Sequence, residues 1–129
     1  MLVMISKFKV VIKTADVTIR VYKGVAIIEI SEGVALSYEN GHEIFNRLLS
    51  IIGDKPWVYV SNRVNSYSLD PNDYRHLNQI PSLKGIGVIQ YKKSIQTALE
   101  LEKMFIKKPF KTFNDLNSAI NWALIKIKE

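Results

Sequence analysis

The sequence contains no cysteine, which excludes disulfides and thiolate metal sites and removes any need for an oxidising compartment. Histidine is nearly as scarce, with only His42 and His76. No His-x-x-x-His pair or carboxylate cluster accompanies them, and the adjacent His42 and Glu43 point to different faces of a helix. Metal-ligand spacing is therefore missing. Glycine-rich phosphate loops are missing too: Gly85-Ile86-Gly87 sits inside a strand-like run and leads into no glycine-rich turn. No cofactor is expected. No stretch approaches the roughly 18 apolar residues of a membrane span. The opening MLVMISKFKVVIK lacks the charged lead-in, unbroken apolar core and small-residue cleavage site of a signal peptide. These absences lead to the expectation of a cytoplasmic protein of bacterial type.

What is present suits one domain over residues 1–129, with an apolar content of 47% and a charged content of 23%, ordinary for a globular protein. Net charge is +6, and 14 of the 18 basic residues are lysines spread along the chain. Their only dense cluster is Lys103, Lys107, Lys108 and Lys111. Nucleic-acid binders concentrate charge, favour arginine and interleave exposed aromatics. Here Phe105, Phe110 and Phe113 fall where a core would want them, so the lysines read as a solvated face.

Periodicity divides the chain. FKVVI (8–12), VTIRVY (17–22) and VAIIEI (25–30) read as strands, joined by a short connection and by the tight turn Lys23-Gly24. The period then becomes helical, from an N-cap at Ser37 through Ile52 to a stop at Gly53. Trp57 to Val60 is a buried strand. Asp70-Pro71 is an N-cap followed by proline at the first helical position, which starts a short helix to about Gln79. GIGVIQY (85–91) is a strand whose glycines allow close packing. Ser94 caps a helix to about Ile106, burying Ile95, Ala98, Leu99, Phe105 and Ile106. Phe110 to Phe113 is extended, and Asn114 caps a final helix carrying the stripe Leu116, Ala119, Ile120, Ala123, Leu124 and Ile127. The order β-β-β-α-β-α-β-α-β-α implies an α/β fold: a mixed sheet that begins as an antiparallel meander and continues by parallel crossovers, with helices packed on it.

That order resembles the STAS superfamily, and more narrowly the SpoIIAA-like (STAS/SEC14-type) proteins of bacteria. Two stretches carry the resemblance: the ending, with Pro109, Phe110, Phe113, Ala119 and Trp122, and the strand-plus-loop WVYVSNRVNSYSLDP. The resemblance implies a non-enzymatic regulatory or binding domain. In anti-sigma-factor antagonists a serine in an Asp-Ser-Ser-Gly-like turn is phosphorylated. Here Asp70 stands about where that serine would be and Pro71 where the glycine would be, which argues against the phospho-switch.

The polar run after the central strand is the candidate site. In open α/β sheets ligands bind beyond the carboxyl ends of the parallel strands. Asn62, Arg63, Ser66, Tyr67 and Ser68, with Lys92 and Lys93, would there surround a pocket for a regulatory protein partner or a small anionic ligand. Arg63 is the expected direct contact, because its fork grips carboxylate or phosphate in two places. The blander alternative is that Asn62, Asn65 and Asp70 fold back on the backbone and Arg63 pairs with Glu39, Asp54 or Asp73. Two further alternatives are a small hydrolase-like enzyme using Ser66 or Ser68 with His76, and nucleic-acid binding through the lysines of 103–111. Trp122 falls off the main stripe of the last helix, so it is expected either at a homodimer surface or packed against the N-terminal strands.

Overall fold

The expected turn at Lys23-Gly24 sets the start of the sheet. Both residues have positive φ, 49° and 85°, the pairing of a type I′ hairpin turn that matches strand twist. Glycine is also needed there for space, since a Cβ at residue 24 would lie 2.8 Å from the Pro56 carbonyl oxygen. The structure is a computed structural model and describes residues 6–92 and 96–129. Strands β1 (Lys9–Lys13), β2 (Val17–Tyr22) and β3 (Val25–Ile30) form the antiparallel meander.

The chain continues through β4 (Ala35–Leu36), α1 (Tyr38–Ile52), β5 (Trp57–Arg63) and β6 (Ser68–Leu69). A 3₁₀ turn at Pro71–Asp73 runs into α2 (Tyr74–Asn78), followed by β7 (Leu83–Gln90), α3 (Gln96–Lys103), β8 (Phe110–Phe113) and α4 (Leu116–Ile127). The main sheet has the order β1-β2-β3-β5-β7-β8, with β3, β5, β7 and β8 mutually parallel. Mixed α/β architecture with an antiparallel start is thus what the periodicity implied. Among the described residues no helix is long and apolar enough to cross a membrane.

Strand alternation sends side chains to two separate cores. Trp57, Ile28, Ile86 and Leu83 meet Leu48 and Ile52 of α1 on one face. Val58, Val60, Ile27 and Ile89 meet Ala119, Ile120 and Ala123 of α4 on the other. Trp122 belongs to this second side and packs on β7. Its ring edge leaves no room at Gly85, where a Cβ would fall 2.8 Å from Cη2, and little at Gly87. It also tilts against Phe113 at 5.5 Å. The strand glycines form the slot that admits the tryptophan.

Several boundaries differ from the sequence expectation. β5 runs to Arg63, because Ser61, Asn62 and Arg63 still pair with Val88, Ile89 and Gln90. The two-residue pair β4–β6, Ala35 with Ser68 and Leu36 with Leu69, is too short to leave a pattern. The last helix is capped by Asp115, which accepts from the Ser118 N–H at 2.8 Å, in place of Asn114. In α3 Leu99 is buried but Ala98 is exposed; Lys93, Ser94 and Ile95, and with them the expected cap, lie outside the described residues.

Candidate functional site

β5 leaves the sheet with its last side chains on opposite faces. Ser61 and Arg63 point to the α1 side, and Asn62 points to the α4 side. The amide nitrogen of Asn62 donates to Glu29 at 2.8 Å, and its oxygen accepts from the Tyr91 hydroxyl at 2.7 Å. Glu29 also pairs with Arg20 at 3.3 Å. Asn62 is therefore a buried tie between strands, and it is not turned toward the residues that follow it.

Arg63 sits in a closed network. Its two terminal nitrogens donate to the two oxygens of Glu102, at 2.7 and 2.5 Å, in the bidentate geometry that suits a guanidinium and a carboxylate. Nε donates to Ser61 Oγ at 3.2 Å, and a terminal nitrogen reaches the Tyr74 hydroxyl at 3.3 Å. The Tyr74 hydroxyl in turn donates to Glu102 at 2.5 Å, and Ser61 meets the Tyr67 hydroxyl at 3.0 Å. The Arg63 and Glu102 side chains are only 8% and 5% exposed. Burial opposes the charge of Arg63, but the hydrogen bond to Glu102 and the electrostatic attraction of Tyr67, Tyr74 and Glu102 together outweigh it and hold the guanidinium protonated. Burial, and after it the negative charge of Glu102, pushes the Tyr74 phenol well above the usual tyrosine range. The fork that the sequence offered to a ligand is engaged by Glu102, and none of Glu39, Asp54 or Asp73 is its partner.

The loop beyond β5 is tied to the segment after β3. Asn65 donates to the Ile30 carbonyl at 3.0 Å, and the Ser66 N–H donates to Glu32 at 3.1 Å. Gly33 N–H donates to Ser66 O, and Ser68 N–H to Val34 O. Asp70 accepts from Asn72 N–H at 3.0 Å, as an N-cap should. Much of this polarity satisfies backbone groups locally and across to the neighbouring segment. Between the loop and α3 there remains an open groove of about 330 Å³, lined by Ser66, Tyr67, Ser68 and Leu69 on one side and Ala98 and Leu101 on the other. The Arg63–Glu102 pair is its floor. Four of the expected residues, Arg63, Ser66, Tyr67 and Ser68, are thus brought together. Asn62 lies on the far face, and Lys92 is exposed and outside the groove lining.

The histidines fall elsewhere. His76 stacks on Tyr38 at 4.1 Å, His42 stacks on the same ring at 5.1 Å, and His42 Nδ1 meets the Tyr38 carbonyl at 3.0 Å. Neither bonds a serine or a carboxylate among the described residues, so the pairing of His76 with Ser66 or Ser68 needed for a nucleophile is not assembled. No group of three described His, Asp or Glu side chains is arranged to hold a metal. Of the basic cluster, Lys108 donates to the Ile80 carbonyl at 2.5 Å.

Sequence reasoning missed Glu102 and Tyr74. A signal for the first was present: residues 95, 99, 102 and 106 share the spacing of one helical stripe, and Glu102 is the charged member among Ile95, Leu99 and Ile106. A carboxylate on an apolar stripe needs a buried partner.

The mixed sheet, its order and the helices on its two faces define a SpoIIAA-like fold. The described likeness is to the crystal structure of an uncharacterised DUF3478-family protein with a SpoIIAA-like fold from Shewanella loihica PV-4. The two share 17% identity and superpose with a TM-score of 0.58 over 83% of this chain and 91% of that one. No family model matches the sequence, and no curated protein matches it.

Proposed function

We propose that this chain is a non-catalytic binding module of the STAS type that recognises a partner protein at the groove between residues 63–71 and α3. The observation that carries this reading is the apolar character of the helix wall. Leu101 lines the groove while 52% exposed, and Met104, directly after the helix, is 80% exposed. Exposed apolar side chains beside satisfied polar ones are the usual makings of a recognition surface. A small anion is the poorer occupant, because the only guanidinium in the groove already carries its counter-charge in Glu102.

Immobilised protein, exposed to lysate of its native cell and read by mass spectrometry, tests the proposal when wild type is compared with Leu101→Asp and Met104→Glu. A set of proteins retained by wild type and lost from both variants, with their melting temperatures unchanged, supports it. Identical retention by all three proteins overturns it. The rival nucleic-acid reading predicts salt-dependent retention of DNA or RNA in filter binding, and the module proposed here predicts none.

A further inference from the structure

A second chamber lies beneath α1 and shares Leu69 with the groove. Its floor is Ile19, Ile28 and Ile30 of the sheet, its roof is Ile44, Phe45 and Leu48 of α1, and its volume is about 140 Å³. That is close to the roughly 150 Å³ of an engineered apolar cavity that stays dry and takes up benzene. The exposed members of its lining, Tyr38 and Asp70, mark the outer end.

Tyr59 and His76 are among the polar groups that interrupt the apolar lining. Tyr59 lies deep in the protein yet keeps accessible surface, because that surface faces the chamber. Its hydroxyl makes no hydrogen bond among the described residues. Burial raises its pKa, so the phenol stays neutral and able both to donate and to accept. His76, also in the lining, has a buried Nε2 with no partner. Buried polar groups without partners are rare in folded proteins. The unpartnered Tyr59 hydroxyl, on a residue that lines the chamber, points to an occupant that supplies the missing bond.

We propose that this chamber is a binding site for a compact, uncharged, ring-sized molecule carrying a single hydroxyl, a compound of the phenol class. The volume admits one ring and excludes a long chain. The aliphatic floor and roof favour an apolar body, and a charged group would lose its hydration with nothing on floor or roof to replace it. Tyr59 supplies the polar anchor. Occupancy of this site does not depend on the partner surface proposed above.

The test uses p-cresol, toluene and decanoate as probes, followed by methyl and amide NMR titration of the full chain. Expected are saturable shifts centred on Ile19, Ile28, Ile44 and Leu48 with p-cresol, and intermolecular NOEs to the same methyls. Tyr59→Phe, which removes only the hydroxyl, should weaken p-cresol by about fivefold, the worth of one net hydrogen bond, and leave toluene unchanged. Ile28→Phe, which fills the chamber, should abolish binding of both. Should that variant fail to fold, the wild-type NOEs still locate the ligand. Absence of NOEs to these methyls, tighter binding of decanoate than of p-cresol, or equal loss of toluene and p-cresol in Tyr59→Phe overturns the proposal.

Discussion

Removing the Glu102 carboxylate is expected to cost far more than removing its arginine partner. In Glu102→Ala the guanidinium of Arg63, only 8% exposed, loses both bidentate bonds and keeps Ser61 and Tyr74 as its remaining partners. Breaking a buried pair from one side costs about 3–5 kcal/mol. For a fold stable by roughly 5–15 kcal/mol that is a large share, and at about 3–5 °C per kcal/mol for this chain length it lowers the melting temperature by roughly 10–20 °C. Arg63→Ala is milder, because a lone buried carboxylate can neutralise itself by taking up a proton and a guanidinium cannot. The damage in Arg63→Ala should therefore shrink as pH falls, while that in Glu102→Ala should not. Replacing both, as Arg63→Met with Glu102→Leu, should restore stability to within about 1 kcal/mol of wild type, since a packed apolar pair avoids the desolvation of two charges. Urea unfolding followed by far-ultraviolet circular dichroism measures all four proteins. A loss below about 1 kcal/mol in Glu102→Ala, the value of an exposed pair, would refute the reasoning.

Three further outcomes are expected. Gly85→Ala should lose about 1–3 kcal/mol in the same assay, the usual cost of overpacking, because its Cβ meets Trp122 at 2.8 Å; Gly87→Ala, whose nearest contact would be 3.3 Å, should lose less. Of the six tyrosines, Tyr59 and Tyr74 should ionise last in an ultraviolet titration. Burial raises both in the folded state, so their contribution to stability is intact below the ordinary tyrosine value of about 10 and is lost as pH climbs past it. Alkaline unfolding that begins later in Tyr59→Phe with Tyr74→Phe than in wild type agrees with this, and an identical onset contradicts it. Asn62→Leu should cost about 1–2 kcal/mol, because it removes the bonds to Glu29 and to the Tyr91 hydroxyl while Glu29 keeps Arg20; a change under about 0.5 kcal/mol, typical of surface sites, would place Asn62 outside the core.

Local signals carried most of the fold. The alternation of β2, the Lys23-Gly24 turn, the Gly53 stop and the Asp70-Pro71 start each depend on residues a few positions apart, and each is found as read. In β1 a register shift between Val10 and Ile12 breaks the alternation, so Val10 is exposed and Phe8 and Ile12 fall in different cores. The candidate site was legible in position only. Arg63 meets a residue 39 positions away, and no neighbour of Arg63 in the sequence announces Glu102. The loop after β5 looked rich in free polar groups because its acceptors, Ile30 and Val34, and its donor Gly33 sit on a distant segment. The chamber under α1 had no signal at all, since a void is a property of how Ile28 and Leu48 fail to meet, and not of either residue. The glycines of β7 were the opposite case. Their need for a close neighbour was visible, but Trp122, which supplies it, was expected at a homodimer surface or against the N-terminal strands.

The sheet carries one indole on each side. Trp57 is buried among the residues beneath α1, and Trp122 lies against the β7 glycines beneath α4. With two tryptophans in all, Trp57→Phe and Trp122→Phe each leave a fluorophore that reports one layer alone. Whether the two layers melt as one unit then becomes a comparison of two midpoints. Coincidence is what a single cooperative domain requires, and separation would divide the chain along the plane of its own sheet.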